Sequence, residues 1–299
     1  MSLTAREKAA QKGINAILSG VLLNILLGAI KAFTGIIGNS YALVADAIES
    51  TSDVFSSLIV WWGLRTASKA PDESYPYGYG KAEPIAAIAV SGLLFISVVV
   101  IAYQSIMQII TPHQTPEPYT AIVLVIVIFV KEILFQFNRE TAIEIESFAV
   151  KGDAWHHRSD AISSLTALLG IVVALWAGEG YESADDWAAL VGSGLIARNA
   201  WLIFRPSLAE IMDSAPPKEI TEEIRQIAKT VPRVWDIEKC FVRKTGLEYY
   251  VEIHIVVDGN MTVREGHEIA HLVKDKIKEF KPNVHNVHTH VEPANPEFS

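Results

Sequence analysis

The chain has one cysteine, Cys240, among 299 residues, which excludes a disulfide framework and any multi-cysteine metal cluster. It is also poor in charge. Only 20% of its residues are Asp, Glu, Lys or Arg while 50% are hydrophobic, and the mean hydropathy is +0.27. Positive charge is the scarcer sign, with 25 Lys and Arg against 34 Asp and Glu, a net −9. A nucleic-acid binder needs a basic surface to displace phosphate counterions, so no nucleic-acid partner is expected; an acidic chain suits cations. Internal repeats and low-complexity tracts are absent. The start, MSLTAREKAAQKG, lacks a compact apolar core followed by a small-residue cleavage site, so the first apolar stretch is expected to be an anchor rather than a removed signal peptide.

What the sequence has instead is long apolar blocks. Ile85 to Ile110 and Ala161 to Gly178 are uncharged runs of 26 and 18 residues, each long enough to cross a ~30 Å hydrocarbon core. Ile14 to Ile37, Asn39 to Leu64, Tyr119 to Phe137 and Trp187 to Phe204 are apolar with occasional polar residues, giving six expected transmembrane helices. Lys and Arg fall before the first span (Arg6, Lys8, Lys12), between the second and third (Arg65, Lys69, Lys81) and between the fourth and fifth (Arg139, Lys151). The positive-inside rule then predicts cytoplasmic N- and C-termini, in a layout that fits a bacterial inner membrane.

After Pro206 charge becomes frequent, and six of the nine histidines lie between His254 and His290. Pro217 followed by Ile220, Ile224, Ile227 and Val231 predicts an amphipathic helix. Ile237 to Arg243 and Leu247 to Val257 predict two strands about a Thr245-Gly246 turn. Thr262 with Glu265 three residues on predicts a capping box for a helix to about Phe280, and Val284 to Glu292 a last strand. The expected fold class is therefore an α-helical membrane protein with a C-terminal cytoplasmic α+β domain in α-β-β-α-β order, ferredoxin-like, divided into residues 1–206 and 207–299.

The chemistry concentrates in the second and fifth spans. Asp46, Glu49 and Asp53 sit three and four residues apart, on one helical face; His156 and Asp160 are again four apart. Charges at bilayer depth cost roughly 2.5–3.5 kcal/mol each on insertion scales, so such faces must look into protein, water or a bound cation. A lone carboxylate could be a protonated packing partner, but spaced pairs on two spans suit a tetrahedral divalent-metal shell of Glu and Asp oxygens with one His nitrogen. His157 is about 100° off the His156 face.

At these residues the chain resembles the cation diffusion facilitator family. ALVADAIESTSDVFSS, YPYGYGKAEP and AWHHRSDAISS resemble its signatures in the second span, the following loop and the fifth span, and the layout of six spans plus a cytoplasmic domain is similar throughout. The resemblance implies proton-coupled export of divalent transition metal, with Zn²⁺ or Fe²⁺ as transported substrate and regulatory ligand and Cd²⁺, Mn²⁺ or Co²⁺ as further cargoes. It implies a homodimer in membrane lipid with protons as counter-substrate, and a metal-binding, dimerising cytoplasmic domain. Its transport tetrad falls on Glu49, Asp53, His156 and Asp160, and its cytoplasmic metal ligands on His254, His267, His290 and Glu292. Tyr75 and Tyr79 stand where relatives with a loop metal site carry His, leaving Asp72 and Glu73 as hard ligands there. Trp235 stands where a further family His falls.

Two competing readings belong to other classes. One is a membrane metal sensor that binds without transporting. The other is a protease, since His267-Glu268-Ile269-Ala270-His271 is a literal H-E-x-x-H, in which two His bind zinc and Glu is the general base. With three fixed positions the motif recurs by chance, and it leaves the intramembrane carboxylates unexplained. The expectation is a transporter, not an enzyme.

Overall fold

The computed structural model describes residues 5–37, 41–110, 120–177 and 184–294. Within them lie six long helices, α1 (Ala5–Ile37), α2 (Tyr41–Ala67), α3 (Ala82–Ile110), α4 (Thr120–Glu144), α5 (Phe148–Ala177) and α6 (Ala184–Ile211). The most extensive pairings are α1 on α2, α4 on α5 and α3 on α6. Large apolar side chains line the outside of this bundle, among them Leu22 and Phe33 on α1, Ile96 and Val99 on α3, and Val125 and Phe129 on α4. The interior holds Asn24, Asp53, Lys131, Asn138, Asp153, His156 and His157. Water would favour the opposite arrangement; a lipid solvent favours this one, with polar groups turned into protein.

The bundle is held by an apolar layer in which Ile17, Val60, Leu64, Ala87, Val90, Val150 and Ile203 are buried together. α6 runs on through Pro206 for five residues, to Ile211, at the cost of one backbone hydrogen bond. Glu210, near the end of α6, accepts a 2.6 Å hydrogen bond from the Gly246 N–H.

The remainder forms a separate layer pair. α7 (Lys218–Lys229) and α8 (Val263–Phe280) cover one face of a three-stranded sheet of β1 (Asp236–Thr245), β2 (Glu248–Val257) and β3 (Val284–Pro293). β1 and β2 form an antiparallel hairpin, and β3 pairs parallel to β2, placing His254 opposite His290. The alternation of β2 sends Val251, Ile253, Ile255 and Val257 into the core with Ile224, Ile269, Val273 and Ile277 of the helices. α8 begins in the capping box expected of its sequence: the Thr262 side chain accepts from the Glu265 N–H, and the Glu265 carboxylate accepts from the Thr262 N–H.

Candidate metal centre

Three membrane helices each deliver polar side chains twice, about one or two turns apart, and so build two tiers. α5 supplies His156 and Asp160 to the first tier, and Asp153 and His157 to the second, both at the i,i+4 spacing that shares a helical face. α2 supplies Asp53 and then Ser57. α4 supplies Lys131 and, seven residues on, Asn138.

In the first tier Asp53, His156 and Asp160 each present a ligand atom, all within 4.8 Å of one another. His156 Nε2 is 3.0 Å from Asp53 Oδ1. Lys131, only 1% exposed, donates to Asp53 Oδ2 at 2.5 Å and to Asp160 Oδ2 at 2.8 Å. Asp53 and His156 are buried and Asp160 is half-buried. Glu49, one turn before Asp53, lies within α2, but its side chain and that of Asp46 fall outside the described residues.

The second tier is closed. The Asp153 carboxylate accepts from the Ser57 hydroxyl at 2.6 Å and from the Asn138 amide at 2.8 Å, and His157 Nε2 lies 3.4 Å from it. All four side chains are buried. This carboxylate is committed to joining α2, α4 and α5, whereas the first tier gathers oxygens and an imidazole around one point.

Lys131, Asn138 and Asp153 belong to none of the motifs that stand out in the sequence. The available signal for Lys131 was a Lys-Glu pair inside an otherwise apolar fourth span. Its neighbour Glu132 instead faces Arg158, 3.7 Å away.

In the cytoplasmic domain the structure brings together His254, His290 and Glu292 but not His267. The three offer ligand atoms within 4.8 Å of one another; Glu292 Oε1 is 3.2 Å from both His254 Nδ1 and His290 Nε2, and Glu238 is 3.6 Å from His254. They occupy the face of the sheet turned away from the helices. Thr289, on the other face of β3, donates to the Ala270 carbonyl of α8. His267 belongs to α8 and lies near Thr289 and Val291, so the sheet separates it from His290. Its ring stacks edge-on to His271, centroids 4.5 Å apart, and among the described residues no third ligand joins that pair. The H-E-x-x-H motif is thus an exposed helical surface.

The loop between α2 and α3 uses one of its two acidic residues, Asp72, internally. Asp72 accepts from the Ser74 and Tyr75 N–H groups and, at 2.6 Å, from the Tyr79 hydroxyl. The hydrogen bond from Tyr79 holds the Asp72 carboxyl below its usual range and pushes the phenol up to about 12.

A family model described as "Cation efflux transmembrane domain" matches residues 17–212, and one described as "Cation efflux protein, cytoplasmic domain" matches residues 216–294. The chain is 30% identical over 273 residues to the magnetosome protein MamB of Magnetospira sp. (strain QH-2), covering 91% of this chain and 92% of that one. It is 29% identical over 295 residues to the manganese efflux system protein MneP of Bacillus subtilis, covering 96% and 97%. A solved MamM-CTD structure covers 26% of this chain and 98% of that one, at 23% identity and a TM-score of 0.25. The transmembrane match takes in well over half of the sequence and contains the whole first tier. The chain belongs to the cation efflux family, the cation diffusion facilitators, and is an integral membrane protein of this family of divalent-metal efflux transporters.

Proposed function

We propose that this protein is a homodimeric, proton-coupled antiporter that exports a divalent transition metal from the cytoplasm through Asp53, His156 and Asp160, with Glu49 as fourth ligand. The observation that carries the reading is the convergence of two carboxylates and one imidazole within 4.8 Å inside a bundle whose outer surface is apolar. Only deprotonated carboxylate and neutral imidazole ligate, so protons compete with metal for the same atoms; loading releases protons, and protonation from the far side expels the ion.

One imidazole among carboxylates is a harder ligand set than a two-imidazole site. Zn²⁺ leads by the general affinity order, and oxygen ligands keep Fe²⁺, Co²⁺ and Mn²⁺ in competition. Similarity to a manganese efflux system protein supports Mn²⁺ among the cargoes. His254, His290 and Glu292, taken as the cytoplasmic ligands, share the sheet with the exposed Phe241, which pairs with Glu252 two residues before His254; this favours a second copy of the domain as the cover of that surface. Cytoplasmic termini in a bacterial inner membrane complete the reading, with transport rather than catalysis as the activity.

Reconstituted flux tests it. Purified protein in liposomes with an imposed pH gradient should move Zn²⁺ and Mn²⁺ against protons, and Asp53→Asn or Asp160→Asn should abolish that movement while the protein still inserts. Metal binding without flux would make the protein a sensor; near-normal flux in either variant would refute the ligand assignment.

A further inference from the structure

A lysine at bilayer depth is costly unless it is paired, and Lys131 is paired with the two carboxylates that the transport reading gives to the metal. Its Nζ is 2.5 Å from Asp53 Oδ2 and 2.8 Å from Asp160 Oδ2, at the point where those oxygens converge. Metal–carboxylate bonds run at about 2.0–2.2 Å. An ion bound by the same two oxygens would need the space the ammonium takes, so Lys131 and the metal are alternatives.

We propose that Lys131 is a tethered counter-cation of the transport site: its ammonium takes the metal's place after release and swings aside when metal loads. The inference rests on Asp53 and Asp160 being transport ligands. Charge gives the physical reason for such a device. The two ionised carboxylates carry two negative charges, of which the ammonium offsets one and a divalent ion both. Reorienting an uncompensated pair through a low-dielectric bundle is strongly disfavoured, so the ammonium offsets the negative charge that the exchanged protons leave on the site and helps the metal-free carrier return. It needs only to move, without losing its proton. The same ammonium lowers the apparent metal affinity, because metal binds only the fraction of molecules in which it is withdrawn; an ammonium in place nine-tenths of the time costs a factor of about ten.

The experiment compares full-length wild type with Lys131→Met, Lys131→Gln, Lys131→Arg and Asp53→Asn. Zn²⁺ and Mn²⁺ are titrated onto purified protein, and radiolabelled metal is followed in liposomes both as net transport and as metal–metal exchange. The Met and Gln variants should bind metal about tenfold more tightly, keep exchange, and lose most net transport, because only the metal-loaded carrier still reorients. Unchanged or weaker binding in both, or net transport and exchange falling together, would overturn the proposal. Should the neutral variants fail to fold, the Arg variant still decides: it keeps a buried cation, and tighter binding than wild type would overturn the proposal. Asp53→Asn separates the two levels. If it binds metal as wild type does, the site reading fails; if it loses metal while Lys131→Met binds no tighter, the site reading stands and the role of Lys131 falls.

Discussion

Ser57 on α2 donates to Asp153 on α5 across 2.6 Å, and Asn138 on α4 donates to the other oxygen of the same carboxylate at 2.8 Å. A fully buried carboxylate is offset only while such donors remain. Replacing Asp153 by Ala leaves a hydroxyl and an amide without an acceptor in a place water does not reach, and should destabilise the protein by about 2–4 kcal/mol. Asp153→Asn, which keeps one acceptor oxygen, should cost less. Thermal unfolding in detergent measures both, and an Ala variant that melts like wild type would show that the second tier does not hold the helices together.

That tier marks where the sequence stops being legible. Asp53, His156 and Asp160 stand out because carboxylates four residues apart, or four from a histidine, have no business in an apolar span. Lys131 and Asp153 carry the same physical oddity, but Lys131 stands beside Glu132 rather than a helical turn from it, and Asp153 lies in the polar first turns of α5, ahead of the uncharged run. Their meaning depends on which way α4 and α5 face, and hydrophobic periodicity does not report that. The cytoplasmic elements were readable down to the Thr262 capping box because caps and strand alternation are local. The placing of His267 was not, since alternation along β3 sorts its residues between two faces without saying which face α8 covers. Glu83 was similarly hidden: in sequence it is one charge at the end of a loop, but in the structure it is buried and accepts from the Ser147 hydroxyl and the Ala149 N–H at the start of α5.

Gly246 joins the two domains. It has φ +65°, and a Cβ there would lie 2.5 Å from the Gly80 carbonyl oxygen in the α2–α3 connection. A side chain would therefore meet both a left-handed backbone penalty of roughly 1–2 kcal/mol and a backbone atom that cannot rotate away. Gly246→Ala should lower the melting temperature and displace the hairpin from its bond to Glu210. Metal titration should leave the affinity of the membrane site unchanged while flux falls, because the lesion is in the joint between domains; wild-type flux and melting together would contradict this.

Glu265 gives the cytoplasmic domain an acid sensitivity whose sign is fixed. Hydrogen bonds from the Thr262 N–H, then the Thr262 hydroxyl and Arg233, lower its carboxyl from 4.5 to about 2. A depressed carboxylate stabilises in its ionised form, so the contribution is complete above pH 4.5 and is lost as pH falls toward 2. Gln at this position keeps an acceptor for Thr262 but does not ionise. The stability difference between wild type and Glu265→Gln should be largest above pH 4.5 and close as the pH approaches 2. Circular dichroism melts of both proteins across that range read it directly, and a gap that stays constant or widens would be incompatible with an ionised cap.

The separation of His267 from His254, His290 and Glu292 by the thickness of the sheet makes the last expectation a contrast between histidines. A bound ion adds stability of RT ln(1 + [L]/Kd), about 2.7 kcal/mol at a hundredfold excess over Kd. To isolate the cytoplasmic contribution, the full chain carries Asp53→Asn, which removes one of the proposed membrane ligands. In that background Zn²⁺ should raise the melting temperature of the cytoplasmic domain, and His254→Ala or His290→Ala should abolish the rise, because each removes one of three ligands that already lie within 4.8 Å of one another. His267→Ala should retain it, since its ring points from the helix layer and stacks on His271. Equal loss in the His267 and His290 variants would show that α8 supplies a ligand to the same ion, and that the outer face of the sheet is not where the metal is held.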